Sequence, residues 1–287
     1  MADSADESTW DDAARLAALR ALPAFGSLDA LFRDDGTLRR FLRARKGDET
    51  AALAALVAHQ DWRRTTTPRW PAATVPLEAV RADVLVGKAY AHGRDREGRP
   101  LSWIRVRLHD RNEDRAQIAA FLALMLDEAL ARCECAPHNA EKFSMLIDFD
   151  AFGVSNFDVD TATLLIRTLI ANFPERLGRL YFVRESWLFW ALWRVISVFI
   201  DERSAKKIVF LGHDFMPALL EDIDASQIPA WLGGASEYEY SPQHVFDSVD
   251  ASATSANNPN TYLSLSRGPR GHLPWIEGSA FDQGPRR

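Results

Sequence analysis

The sequence predicts an α/β protein in two parts: a small N-terminal helical domain over residues 9–64 and a larger domain over 77–240 built on a mainly parallel sheet, followed by a polar tail over 241–287. Three observations carry that reading. Up to about residue 64 the apolar residues recur at helical spacing, with no alternating run. The stretch Thr65–Pro76 holds three prolines and reads as a linker. From Phe143 onward, short apolar runs alternate with helical patterns, which implies βαβ units and right-handed crossovers.

Each element follows from local signals. Asp11 to Leu22 is a helix that Pro23 stops. Leu28, Leu31 and Phe32 suggest a short second helix ending near Gly36. Thr37 is the expected cap of a third, with Leu38, Phe41 and Leu42 inward. Gly47-Asp48 breaks it, and Thr50–Trp62 is the fourth. Ala89–Ala91 and Leu101–Val106 flank Asp95–Arg99, a hairpin signal. Gln117–Ala131 is an amphipathic helix, Phe143–Phe149 a buried strand and Asp158–Phe173 a helix. Leu180–Val183 and Ile208–Leu211 are strands on either side of a helix at Trp187–Ile200. Beyond Asp247 the Ser-, Asn-, Pro- and Gly-rich chain is expected to be largely disordered, with Trp275 a late anchor.

Composition removes several function classes. The chain has 287 residues, 47% apolar and 26% charged, with a net charge of −6. A globally basic nucleic-acid binder is excluded. Two cysteines exclude a disulfide scaffold and point to a reducing compartment. The acidic start, MADSADESTW, is not a signal peptide. Cys133, Cys135 and His138 lack a fourth partner at a metal-site spacing, so no metal or other cofactor is expected. Gly153-Val154-Ser155-Asn156-Phe157 lacks the second glycine of a nucleophile elbow. Neither Asp148 nor His213 has a nucleophile–base partner at interpretable spacing, so the chain does not read as an enzyme.

Three constellations remain. LRRFLRARKGD places Arg39, Arg40, Arg43, Arg45 and Lys46 within eight residues and without an acid. This is either a phosphate-holding cluster or a solvated face near a helix C-terminus, where cations suit the dipole. WLFWALWRVISVFI, residues 187–200, has only Arg194 and Ser197 as polar residues. It is shorter than the roughly 20 residues that span a bilayer. It is either a core helix or, with Trp187, Trp190 and Trp193 in a stripe, one that meets a membrane interface. Glu175 and Lys207 each precede a strand. They read either as surface charge or as one lined edge of a pocket.

Several blocks then carry a resemblance: LRRFLRARKGDETAALAALVAHQDWRR, GKAYAHGRDREGRPLSWIRVRLHD, MLIDFDAFGVSNFDVD, NFPERLGRLYFV, AKKIVFLG and ALLEDIDASQIPAWLGG. In this order they resemble the CRAL-TRIO family, best its phosphatidylinositol-transfer branch with a helical leader, over about residues 28–234. The resemblance implies that 77–240 is a lipid-binding domain whose sheet floors a hydrophobic cavity closed by a gating helix. The gate corresponds to Trp187–Ile200, with Trp187, Phe189, Trp190, Trp193 and Phe199 as membrane contacts. The phosphoinositol site corresponds to Arg45, Lys46, Glu175 and Lys207, with Arg176 in support. Cations would neutralise the phosphate, and Glu175 would accept hydrogen bonds from inositol hydroxyls.

The expected function is therefore exchange of a single phosphatidylinositol at membrane surfaces by a cytoplasmic monomer that is transiently membrane-associated. The alternative is a sensor that presents a bound lipid to an enzyme, for which a phosphoinositide kinase is a candidate partner. Phe143 and Met145, with Ser144 between them, stand where phosphatidylcholine-binding members carry hydroxyl side chains, and Ala91 and Ser102 stand where such members carry tyrosines. Phosphatidylcholine is thus disfavoured as second ligand, and a sterol or other apolar molecule is the open choice. The gate departs from the family's Asn-Ala-Pro and Lys-Pro, having Arg184-Glu185-Ser186 and Ser197-Val198 in their place, which alters the stiffness of its hinges.

Overall fold

A computed structural model describes residues 12–66, 76–134 and 141–246. Of the expected linker Thr65–Pro76, Thr65 and Thr66 instead end a helix, while residues 67–75, with Cys135, His138 and the tail from 247 with Trp275, lie outside the described residues. The chain divides into two compact units, Met1–Arg63 and Arg64–Arg287.

The first unit is helical. Helix α1 spans Asp12–Ala21, α2 Asp35–Ala44 and α3 Glu49–Thr66. Leu16, Leu19, Leu38, Phe41, Leu53 and Leu56 are buried, so one stripe of each helix is apolar. The helix expected around Leu28–Gly36 is instead a pair of 3-10 turns, Pro23–Ser27 and Ala30–Phe32. The buried Gln60 of α3 supplies the reason. Its side chain accepts from the Asp29 amide at 2.6 Å and donates to the Ser27 carbonyl at 3.3 Å, serving backbone groups that a helix would have paired. The cap of α2 is Asp34 rather than Thr37: the Thr37 amide donates to Asp34 Oδ1 at 2.9 Å, which puts Thr37 inside the first turn.

The second unit is built on five strands in the order β1-β2-β3-β4-β5: Ala89–Arg94, Pro100–Arg105, Phe143–Asp148, Leu177–Val183 and Ile208–Phe210. The first pair is antiparallel and the rest are parallel, as the hairpin and βαβ signals predict. The β1–β2 register shifts at Gly93, whose φ of 75° suits a bulge. Short helix α4, Arg81–Val86, precedes β1.

Strand periodicity sorts the sheet into two faces. Trp103, Leu146 and Tyr181 lie level across three strands and pack with Phe215, Leu219, Ile223 and Leu232. These belong to helix α9, Met216–Asp222, and the segments flanking it. Ile104, Ile147, Phe182 and Phe210 form the row on the opposite face. That face meets α5, Arg115–Glu134, α6, Val159–Asn172, and α7, Trp187–Ile196. A single turn, α8, Glu202–Ala205, leads into β5. Beyond the expected boundary at 240, Val245 is buried and packs with Val80, Val84 and Phe121.

Candidate functional site: helix α7 and the charged edge

Helix α7 forms because Ser186 caps it, accepting from the Phe189 amide at 3.4 Å, and because ten residues follow of which only Arg194 is polar. A 3-10 turn, Ser197–Phe199, ends it. It is not apolar-buried all round. Phe189, Leu192 and Ile196 face the sheet, and Phe189 is 0% exposed. Trp187 is 78% exposed and Trp190 47% exposed, with Val195 and Val198 also open. Trp193 and Phe199 are half-buried. The five residues expected to contact membrane therefore divide: Trp187 and Trp190 are outward, Phe189 is inward, and Trp193 and Phe199 sit at the margin.

Beneath α7, where the cavity is expected, aromatic rings are in contact. Phe189 lies 4.6 Å from Phe149 and 5.2 Å from Phe182, and Trp193 lies 5.7 Å from Phe182. Phe149 in turn meets Phe152 edge-on at 5.1 Å. At the sheet edge Phe210 stacks on Phe182 at 5.4 Å and touches Trp190 and Trp193, each at 5.0 Å. The helix is thus closed on the sheet. A separate cavity of about 20 Å³, lined by Tyr90, Glu128, Arg132, Tyr238 and His244 among others, is only water-sized.

The charged pair expected at the sheet edge is brought together. Glu175 precedes β4 and Lys207 precedes β5, and the Leu180 amide donates to the Lys207 carbonyl at 2.9 Å. Both residues lie at the amino end of the parallel strands. Glu175 occupies the third position of the Phe173–Arg176 turn, where Pro174 sets the preceding φ and Glu175 takes φ 60°. For a non-glycine residue that conformation is strained, and strain of this kind gathers at functional positions. Its carboxylate pairs with Arg203 at 3.0 Å. Burial pushes the Lys207 ammonium below its usual range, and Glu175 acts in the opposite direction. Lys142, Arg203 and Asp201 also act on it. Arg176 points elsewhere, donating to the Glu141 carbonyl at 2.8 Å and so holding the start of β3.

Arg45 and Lys46 lie in the first unit. They follow α2 in a Schellman motif: the Gly47 amide donates to the Leu42 carbonyl at 2.8 Å and the Lys46 amide to Arg43 at 3.1 Å. Lys46 takes the left-handed position, φ 52°, that glycine usually fills. Of the other cations, Arg39 lies 3.3 Å and Arg43 3.9 Å from Asp12, while Arg40 donates to Thr37 at 2.7 Å. These three therefore serve the helical unit itself.

Sequence reasoning missed Arg203, Lys142 and Phe210. Arg203 sits in the charge-rich DERSAKK, where no periodicity separates a partner of Glu175 from surface charge. The outward aromatic at the end of IVF is a detectable signal, since an alternating strand places Phe210 on the face of Ile208.

Comparison with known proteins places this architecture. Residues 86–234 match the model of the CRAL/TRIO domain. A phosphatidylinositol transfer protein CSR1 of Eremothecium gossypii is 28% identical over 215 residues, covering 72% of this chain and 48% of its own. A phosphatidylinositol/phosphatidylcholine transfer protein SFH7 of Arabidopsis thaliana is 27% identical over 243 residues, covering 80% and 44%. The Sec14 cytosolic factor of Schizosaccharomyces pombe is 28% identical over 215 residues, covering 70% and 74%. The chain spans about half the length of the first two relatives. The crystal structure of Sfh5 superposes with a TM-score of 0.52 at 14% identity, covering 77% of this chain and 82% of that one. The matched domain, the five-stranded sheet and the shared fold together establish that the chain belongs to the CRAL/TRIO domain family.

Proposed function

We propose that this protein extracts a single phosphatidylinositol from a membrane surface and exchanges it beneath α7, without covalent chemistry. The observation that carries the reading is the two-sided apolar character of α7: Phe189 is sealed against the sheet while Trp187 and Trp190 face outward. Indoles suit a bilayer interface, where one end is apolar and the other finds a hydrogen-bond partner. The transfer activities named for the relatives support the same reading.

Magnitudes favour a gate that works only at a membrane. Burying a CH₂ is worth about 0.8 kcal/mol, so two acyl chains of roughly 30 such groups represent on the order of 20 kcal/mol. Release into water is then too slow to matter, whereas facing a bilayer the apolar term nearly cancels. Room for the chains comes from lifting Phe189, Leu192 and Ile196 off Phe149 and Phe182. No described helix is long and apolar enough to cross a membrane.

The headgroup site is assigned to the amino end of the strands. Lys207, Arg203 and Lys142 supply positive charge for the phosphodiester, and Glu175 accepts from inositol hydroxyls. Replacing Lys207 with Ala should lower phosphatidylinositol transfer between vesicles about tenfold or more, the value of one charge-assisted hydrogen bond. Circular dichroism should show the fold retained. Undiminished transfer by that variant overturns the assignment.

The closed ring stack beneath α7 favours a second reading, tight retention for presentation to a partner such as a phosphoinositide kinase. Phosphatidylinositol that co-purifies by mass spectrometry yet does not move between vesicles would select it.

A further inference from the structure

We propose that α7 opens as a lever about its N-terminal end, with Arg184 and Glu185 as the positioning residues that pin that end while the Ser197–Ile200 end swings away. The inference rests on reading α7 as the gate, and it says which end of the gate admits the lipid.

The two ends are held by different chemistry. At the N-terminal end, Arg184 Nε donates to Asp148 Oδ1 at 2.8 Å and Nη2 to Oδ2 at 2.5 Å, with Asp150 at 3.7 Å. Asp148 closes β3 and is 1% exposed. The Arg184 amide donates to the Gly212 carbonyl at 2.7 Å. The buried Glu185 carboxylate accepts from the Leu211 amide at 3.1 Å. Two residues thus tie the start of α7, which follows β4 directly, to the ends of β3 and β5. Arg184 does so at φ 60°, a conformation that persists only where the surroundings over-determine it. Its planar fork matches the carboxylate at two points, which fixes direction as well as position.

The far end has no such ties. The Ser197 amide continues the helix to the Trp193 carbonyl, and the Ile200 amide closes the 3-10 turn on Ser197 at 3.1 Å. Among the described residues no side chain from Ser197 to Ile200 makes a hydrogen bond. Phe199 rests against the Arg167 guanidinium at 4.8 Å, and Val198 is 75% exposed. Local opening concentrates where buried contacts are few.

The free end is also the useful one. The chain runs from Ile200 directly into α8, whose Arg203 pairs with Glu175. A lever lifted there parts Ile196 and Leu192 from the sheet before Phe189, and uncovers the apolar floor beside the charged edge.

Amide hydrogen exchange on the full chain, resolved to single residues, tests this with and without vesicles of phosphatidylcholine and phosphatidylinositol. Amides of Val195–Ile200 should exchange at least about tenfold faster than those of Trp190–Leu192, and vesicles should widen the gap. Equal rates, or faster exchange at Trp190–Leu192, overturn the lever. Arg184→Lys breaks the fork, and the pair Asp148→Asn with Arg184→Gln removes it without leaving a lone buried charge. In both, the gap between the ends should fall below about twofold, and release of a preloaded fluorescent phosphatidylinositol should quicken about tenfold. A purely structural fastener would instead raise exchange across β3 and β4 and leave the ratio between the ends unchanged, which also overturns the proposal. The end-to-end ratio is readable in the protein alone, so absent lipid transfer would sink the transfer reading separately.

Discussion

The two ends of the parallel strands carry similar side chains put to opposite ends. At the carboxyl end Asp148 is enclosed and accepts from Arg184 twice and from the Asp150 amide at 2.9 Å. At the amino end Glu175 has one ion-pair partner among the described residues, the half-open Arg203, and Lys207 is partly desolvated beside it. An acid–base pair whose hydrogen-bond capacity is spent is a fastener. One with capacity left is a place for a ligand. Open α/β sheets usually bind ligands beyond the carboxyl ends of their strands. Here the fastener holds that position, and Glu175 and the partly desolvated Lys207 lie at the other end.

The largest effect expected from this contrast is on stability. Asp148→Ala leaves the Arg184 charge without its buried partner and should cost about 3–5 kcal/mol in urea unfolding. Glu175→Ala should cost less, about 1 kcal/mol, because its partner Arg203 is half-exposed and water screens the pair. Similar losses at both positions would erase the distinction between the two ends.

A third polar region sharpens it through pH. His92 is buried beside Ser236, with Nε2 2.8 Å from the Ser236 hydroxyl, and burial pushes its pKa down to about 4, with Arg132 acting in the same direction. The folded pKa lies below the unfolded value, so protons favour unfolding. The stability His92 contributes is fully present above the unfolded value and is lost as pH falls towards 4. The decline should run at roughly 1.4 kcal/mol per pH unit over that window. Urea titrations of His92→Gln, which keeps a polar atom near Nε2, should lack that slope. A slope that survives the substitution assigns it to other groups.

The smallest effect is at Lys46. Lys46→Gly relieves a left-handed φ and should stabilise the helical unit by about 1 kcal/mol, read as a raised urea midpoint. A fall in phosphatidylinositol transfer alongside that gain would give Lys46 a role beyond the cap.

Much of this was legible in the residues. Alternating apolar runs gave the hairpin and the parallel strands, because strand periodicity and turn chemistry are local. The placement of Glu175 and Lys207 before their strands followed from the same runs. The 3-10 turns at Pro23–Phe32 were not legible, because Gln60, some thirty residues away, takes up their backbone groups. Nor was the division of the α7 aromatics, since Arg194 is the single polar residue among Trp187–Ile196 and one charge does not say which rings meet the sheet.

The sequence by itself determined the main helices and strands, their order and the family, because hydrophobic period, capping residues and breakers act within a few positions along the chain. Tertiary structure alone decided that Arg203 pairs with Glu175, that Arg184 locks to Asp148, and that Phe189 is sealed while Trp187 stays open. Those outcomes depend on which strand ends become neighbours, and long-range neighbours are set by the packing of the whole sheet rather than by any one segment.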